Sequence, residues 1–172
     1  MNTKLANTTT PSAAAANMLA TGFYSGYCPV APGTAGTLAA AAGVYLLSFA
    51  FPALAMPLES CLLAVFTTAL GILCANVVCD SQLYGADNKD PKQIVIDEFS
   101  GYFVTIIGLE HNIASLAVAF ACFRLFDILK PPPIKRLERL PRGWGIVLDD
   151  VLAGVYAALL ARIVLHIAPR LL

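Results

Sequence analysis

The stretch "CLLAVFTTALGILCANVVC" (Cys61–Cys79) carries no charged residue over its whole length. It approaches the roughly 20 apolar residues that an α-helix needs to span the hydrocarbon core of a bilayer. Two more blocks have the same character, Leu38–Met56 and Val151–Ala168. The chain of 172 residues is 58% hydrophobic and only 13% charged, against about 25% charged in soluble domains. We therefore predict an all-α, polytopic membrane helix bundle.

The basic residues indicate how this bundle is oriented. Eight of the 11 Lys and Arg residues fall in two segments, at Lys89 and Lys92 and between Arg124 and Arg142. Basic loops stay on the cytoplasmic side, so the chain between these segments must cross the membrane twice or not at all. A polar break, "LEHN" (Leu109–Asn112), then separates two short helices, at about residues 93–109 and 112–129. The prediction is about five transmembrane or partly spanning helices, with the C-terminus outside.

The remaining features define the domain organisation. We predict a flexible N-terminal tail over residues 1–20 and a single membrane-embedded domain over residues 21–172. The basic segment after Pro131 is typical of a membrane surface, with Trp144 as an interfacial anchor, or of an ordinary cytoplasmic loop. Arg162 lies inside the last apolar block, where it must reach the interface or contact a protein group. A net charge of zero argues against nucleic acid as a partner.

Two pairs of adjacent acids interrupt the apolar sequence. Asp97 and Glu98 lie in "IVIDEFSGYF", and Asp149 and Asp150 lie in "GIVLDDVLAG". With the predicted topology these pairs share one membrane face with Asp80 and Asp127. Crowded carboxylates raise one another's pKa values unless a cation holds them ionised, and Mg²⁺ prefers oxygen ligands. We predict a metal site whose ligands come from Asp80, Asp97, Glu98, Asp149 and Asp150. The alternative is that each pair only stabilises a helix start.

Basic side chains are predicted to complete the site. Arg124 and Asp127 in "FRLFDILKP" are three residues apart, as are Asp127 and Lys130. Neighbours at this spacing form structural salt bridges on one helix surface. They also suit catalysis, with Asp127 as ligand or base and Arg124 and Lys130 binding phosphate oxygens. The predicted catalytic residues are Asp97, Asp127, Asp150, Arg124 and Lys130.

A second phosphate-binding element is predicted at "PGTAGTL" (Pro32–Leu38), just before the first apolar block. Thr34 and Thr37 supply hydroxyls at a helix N-terminus, where free N–H groups attract anions, and Gly36 permits close backbone approach. The same pattern is also typical of a plain helix start.

Four motifs, "PGTAGTL", "IVIDEFSG", "FRLFDILKPPPI" and "GWGIVLDDVLAG", together resemble the bacterial phosphatidylglycerophosphatase A family, in order from about Phe23 to Ala161. The family's Arg and Lys match Arg124 and Lys130. Thr37 stands where the family often has Ser, and Pro132 adds a third consecutive proline. The family's acidic positions match residues in this chain: Asp80, Asp97, Glu98, Asp127, Asp149 and Asp150.

The resemblance implies a magnesium-dependent, multi-pass enzyme of the bacterial inner membrane whose active site faces the cytoplasm. Its phospholipid substrate would be phosphatidylglycerophosphate, which loses its terminal phosphate to give phosphatidylglycerol. The main rival is a cation transporter or channel, which predicts acids distributed through the depth of the membrane. A lipid phosphotransferase is a second rival, but its paired-aspartate motif is missing. Oligomeric state cannot be inferred from the sequence.

Overall fold

A computed structural model describes residues 10–85, 88 and 91–167 of the chain. This part is all-helical and contains no strand, which confirms the predicted fold class. Three of its helices, at Pro32–Ala50, Pro57–Asp80 and Gly143–Ile167, are long and apolar enough to cross a membrane. The helices in chain order are α1 (Pro11–Ala20), α2 (Pro32–Ala50), α3 (Pro57–Asp80), α4 (Ile96–Thr105), α5 (Ile113–Leu129), α6 (Ile134–Leu137) and α7 (Gly143–Ile167), with single 3-10 turns at Ser25–Tyr27 and Pro52–Ala55.

The five predicted helices correspond to α2, α3, α4, α5 and α7, so the count of five holds approximately. The pair α4 and α5 is shorter than a membrane span, with 10 and 17 residues. At 1.5 Å per residue α4 is about 15 Å long, well below the roughly 25 Å of a helix over the predicted residues 93–109. It ends early because the chain turns through Gly108, at a φ of 66°, before Asn112 caps α5 by accepting from the Ser115 N–H at 2.9 Å. The polar turn was therefore predicted correctly and the extent of α4 was not.

The N-terminal segment differs from the predicted tail. Residues 11–20 form α1, whose first turn Thr10 caps through a hydrogen bond from the Ala13 N–H of 3.3 Å. Ala13, Ala16 and Ala20 are buried, and α1 packs against α3. Alanine favours helix and its small side chain lets two helices approach closely. The alanine-rich residues 11–20 thus form a packed helix. Residues 1–9 of the predicted tail lie outside the described part of the chain.

Helix α4 lies at the centre and contacts α2, α3, α5 and α7. It crosses α7 where Gly101 and Gly154 meet backbone to backbone, without room for a side chain at either position. Two hydroxyls fix the helix: Thr105 donates to the Gly154 carbonyl at 3.4 Å, and Tyr102 donates to the Leu116 carbonyl at 3.0 Å. This crossing sets the first turn of α4 beside the second turn of α7.

Helix α7 begins at Gly143, well before the apolar block that predicted it. Its first N–H donates to the Asn76 side-chain oxygen of α3 at 3.0 Å, which satisfies one of the free donors of a helix start. Asp149 and Asp150 therefore lie in the second turn rather than at the helix opening. Arg162 contacts protein groups, as one of its two predicted alternatives required: it donates to the Ala158 carbonyl at 2.8 Å and to the Ile107 carbonyl, just after α4, at 2.5 Å.

The basic segment between α5 and α7 forms only one helical turn, α6. Ile134 is fully buried, while Lys135, Arg136, Arg139 and Arg142 are exposed. The polar turn after α4 contacts α2 through a part-buried hydrogen bond, in which His111 Nδ1 lies 2.6 Å from Ser48 Oγ.

Candidate active site

Three carboxylates converge where α4 crosses α7. Asp97 and Glu98 come from the first turn of α4, and Asp150 comes from α7. One carboxylate oxygen from each of the three acids lies within 4.8 Å of the corresponding oxygens of the other two. Glu98 and Asp150 are buried, at 9% and 2% exposure. In the described part of the chain each acid has a buried oxygen without a hydrogen-bond partner: Asp97 Oδ1, Glu98 Oε2 and Asp150 Oδ2.

This acidic cluster strongly disfavours negative charge on its members. Burial raises the pKa of Asp97 well above its ordinary value, and the neighbouring Glu98 and Asp150 carboxylates raise it further. Burial also raises the pKa of Glu98. Binding of a hard divalent cation would offset the cost of ionising these buried carboxylates, because the cation binds oxygen donors and favours their ionised form. The partnerless oxygens and the all-oxygen donor set fit such an ion.

Asp149, the neighbour of Asp150 in the chain, pairs with Lys130. The Lys130 ammonium donates to Asp149 Oδ2 at 2.6 Å and lies 2.9 Å from Glu138 Oε1. Burial lowers the pKa of Lys130, but its bonds to Asp149 and Glu138 raise the pKa by more, so Lys130 remains charged. The second oxygen of Asp149, Oδ1, is buried and has no hydrogen-bond partner among the described residues. Asp149 therefore holds a cation on one side and leaves an acceptor free on the other.

Arg124 lies on the opposite side of the cluster, between α5 and α2. Its Nη1 is 2.5 Å from Asp127 Oδ2 and 3.8 Å from Glu98 Oε1, and it donates to the Thr37 hydroxyl at 3.4 Å. The three-residue spacing of Arg124 and Asp127 thus produces the ion pair that the sequence allowed. This pair lies against Glu98, so it also belongs to the site.

The start of α2 packs directly against these groups. A side chain at Gly33 would collide with the Glu98 carboxylate, placing a Cβ 3.2 Å from its carbon and 3.3 Å from Arg124 Nη1. The Thr37 hydroxyl is fully buried and donates to the Gly33 carbonyl at 2.9 Å. Gly36 is buried, and a Cβ there would lie 2.7 Å from Val95. The close backbone approach predicted for this motif therefore serves protein side chains, and the phosphate-binding role of Thr34, Gly36 and Thr37 stays a prediction.

A polar cleft of about 910 Å³ opens beside the acidic cluster. Asp97, Asp149 and Lys130 line its inner end, whereas Thr34, Gly36, Thr37 and Arg124 do not line it. Glu138, Arg139 and Arg142 form part of its outer wall. The sequence indicated these three only as members of a basic surface segment, because nothing in their spacing showed that the residues after α6 border the cleft.

Asp80 is separated from the acids that it was predicted to join. It lines the outer part of the cleft, where Asp80 Oδ1 lies 2.6 Å from Arg142 Nη1. Both side chains are more than half exposed, at 53% and 61%. The group of three carboxylates that could hold a metal ion does not include Asp80, Asp127 or Asp149.

Comparison with known proteins shows the family of this chain. The model of the family "Phosphatidylglycerophosphatase A" matches residues 18–165. Phosphatidylglycerophosphatase A of Haemophilus influenzae is 39% identical over 146 residues, covering 83% of this chain and 84% of that protein. The Escherichia coli protein of the same name is 37% identical over 144 residues, covering 83% and 78%.

A relative from Bacteroides thetaiotaomicron carries a different name, putative phosphatidylinositol-3-phosphatase, and is 38% identical over 146 residues, covering 83% of this chain and 89% of the relative. No solved structure matches the chain significantly. The family match includes all four sequence motifs and every acid of the cluster. The chain therefore belongs to the phosphatidylglycerophosphatase A family and is a lipid phosphatase.

Proposed function

We propose that this chain hydrolyses the terminal phosphate of phosphatidylglycerophosphate in a Mg²⁺-dependent reaction, giving phosphatidylglycerol and inorganic phosphate. It would do so as a multi-pass protein of the bacterial inner membrane, with the cleft facing the cytoplasm. Family membership supports the substrate. The observation that carries the proposal is the convergence of Asp97, Glu98 and Asp150, with buried partnerless oxygens, beside a cleft that contains Lys130.

Asp97, Glu98 and Asp150 would hold the metal ion, and Asp149 offers a further oxygen nearby. Bound Mg²⁺ supplies Lewis-acid stabilisation of the negative charge on the phosphoryl group. Carboxylates from two helices hold such an ion only while α4 and α7 keep their crossing. The proposed metal site therefore depends on the helix contact at Gly101 and Gly154.

Lys130 is the cation best placed to bind the phosphate monoester. It lies on the cleft wall and stays charged, and Asp149 fixes its position. Its ammonium would bind a non-bridging phosphate oxygen and offset charge in the transition state. Farther out, Arg139 and Arg142 add positive charge to the same cleft, which suits a headgroup that carries two phosphates.

Asp97 is the acid positioned to accept a proton, because it belongs both to the cluster and to the cleft wall. In the proposed reaction a water oxygen attacks phosphorus and Asp97 takes the water proton. The phosphorus–oxygen bond to glycerol breaks, and Asp97 passes this proton to the glycerol oxygen. Direct attack by Asp97 on phosphorus is the alternative. A substrate with a chiral terminal thiophosphate separates the routes, because one displacement inverts phosphorus and two retain its configuration.

Arg124 and Asp127 act mainly through Glu98 in this proposal. The Arg124 guanidinium is held by Asp127 and Thr37 and lies away from the cleft. Its charge favours the ionised form of Glu98, which a metal ligand requires. Gly33 leaves the space that the Glu98 carboxylate occupies.

The decisive experiment measures phosphate release from phosphatidylglycerophosphate by the purified protein, with Mg²⁺ and with excess EDTA. We expect activity only with the metal, and none from Asp97→Asn or Asp150→Asn. Glu110→Gln is the control, because Glu110 is exposed in the turn after α4 and accepts a hydrogen bond from Asn112. Full activity in EDTA, or in either Asn variant, contradicts the proposal. Phosphatidylinositol 3-phosphate, tested in parallel, determines whether the named substrate is preferred.

A transport function receives no support from the geometry. The described acids of the cluster lie at one helix crossing, next to Lys130 and Arg124. A cation path needs favourable sites through the depth of the membrane, and fixed positive charges beside it would oppose cation passage.

A further inference from the structure

An apolar groove of about 540 Å³ lies between α3, α4 and α7. One wall is formed by α3 from Cys61 to Leu73, which at 1.5 Å per residue gives a length of about 18 Å. The other wall is the start of α7, and Val104 of α4 and Ile107, just after α4, form the floor. Because α3 and α7 are both candidate membrane spans, the surroundings of this groove are the hydrocarbon of the bilayer.

The groove and the polar cleft use adjacent faces of the same turns of α7. Trp144, Leu148 and Val151 line the groove at helical spacing, whereas Gly145 and Asp149 line the cleft. The apolar groove and the polar cleft thus border the same short segment of α7.

One helix contact separates the two cavities. Gly143 lies against α3, where a Cβ would come within 2.6 Å of the Ile72 carbonyl oxygen and 3.1 Å of the Asn76 nitrogen. Trp144, the next residue, is half-exposed at 50% and lines the groove. Tryptophan prefers the boundary between hydrocarbon and headgroups. The groove therefore starts at the depth where a lipid changes from polar to apolar.

We propose that this groove holds one acyl chain of the lipid substrate while the phosphorylated headgroup occupies the cleft. The assignment rests on the proposed function, since it concerns the same substrate. Its basis is that the groove and the cleft border adjacent faces of the first turns of α7, together with the almost entirely apolar lining of the groove. The glycerol backbone then lies beside the half-exposed Trp144, outside the close contact of Gly143 with α3, and the acyl chain fixes how far the phosphate reaches into the cleft.

The test compares kcat/KM for long-chain and dihexanoyl phosphatidylglycerophosphate in the same detergent. Ala69→Phe fills the groove from α3, and Ala42→Phe, on an exposed position of α2 outside the groove, is the matched control. Exclusion of about two methylene groups predicts that Ala69→Phe lowers kcat/KM for the long-chain substrate by about tenfold. The same variant should leave the dihexanoyl substrate unchanged, and Ala42→Phe should change neither.

A second variant tests the acyl-chain assignment without relying on Ala69→Phe. Cys61→Phe, at the far end of the groove, is expected to penalise only the longest chains in an acyl-length series. Equal losses for long and short substrates, or no loss in either variant, would show that ordinary membrane lipid fills the groove and overturn the assignment. Absence of phosphate release by the wild-type chain from both lipids would overturn the proposed function itself, and the assignment with it.

Discussion

The replacement Gly154→Ala tests whether the crossing of α4 and α7 builds the acidic cluster. A Cβ at this position would lie 3.0 Å from the carbonyl carbon and 3.1 Å from the Cα of Gly101, and closer still to its carbonyl oxygen. All three atoms are backbone, so no side chain can rotate away. The two helices must instead separate.

The size of the effect follows from that displacement. Ordinary contacts of a Cβ begin at 3.4 Å, so relief of the overlap needs a separation of about 1 Å, which is enough to cost on the order of 100-fold in rate. Asp97 and Glu98 would move away from Asp150, although no acid has been changed. Overpacking also lowers the stability of the fold, by about 1–3 kcal/mol.

The assay measures kcat at saturating substrate and Mg²⁺, with thermal unfolding in detergent as a second readout. Gly43→Ala is the matched control, since nothing lies within 4 Å of a Cβ built there. It should keep full activity and gain about 0.5–1 kcal/mol, because alanine is the better helix former. Wild-type kcat in a folded Gly154→Ala protein would refute the inference that this backbone contact positions the acids.

Further predictions concern groups around the cluster. Lys130→Met leaves the Asp149 carboxylate, 4% exposed, without its cation and should cost about 3 kcal/mol in unfolding free energy. Adding Asp149→Leu should restore the melting temperature but not the activity, whereas an unchanged melting temperature in the single variant would contradict a stabilising pair. Asp80→Asn should change activity by less than about tenfold, because an exposed ion pair contributes at most about 1 kcal/mol. A loss as complete as that expected for Asp97→Asn would instead indicate that Asp80 belongs to the metal site. Burial lowers the pKa of His111 below its ordinary 6.5, so the folded protein binds fewer protons than the unfolded chain and loses stability as pH falls through about 6.5. His111→Gln should flatten that dependence in melting curves recorded at several pH values, and an equally steep curve would exclude His111 as its source.

Some parts of the fold could be predicted because they depend on local chemistry. The uncharged run of Cys61–Cys79 needs a hydrocarbon environment whatever surrounds it, and it became most of α3. Arg124 and Asp127 are neighbours on any helix that contains both, and they pair at 2.5 Å. Neither result requires knowledge of another helix.

Other features depend on contacts between distant segments, which spacing does not encode. The start of α7 at Gly143 depends on Asn76 of α3, 67 positions earlier. Asp80 was expected in the cluster because it ends an apolar span, but the helix end carries it to the outer cleft and Arg142. The alanine-rich residues of α1 gave no amphipathic signal, because their burial relies on close packing of small side chains against α3 rather than on a hydrophobic stripe.

The adjacent acids of α7 show how one dipeptide can serve two functions. Successive residues of an α-helix point about 100° apart, so Asp149 and Asp150 cannot share a direction. Asp150 turns toward Asp97 and Glu98, while Asp149 turns toward Lys130. In the proposed function the same two positions would supply a ligand for a metal ion and an anchor for a phosphate-binding ammonium. Because one peptide unit fixes the separation of these two positions, the helix backbone would limit how far apart the proposed metal ion and the Lys130 ammonium can lie.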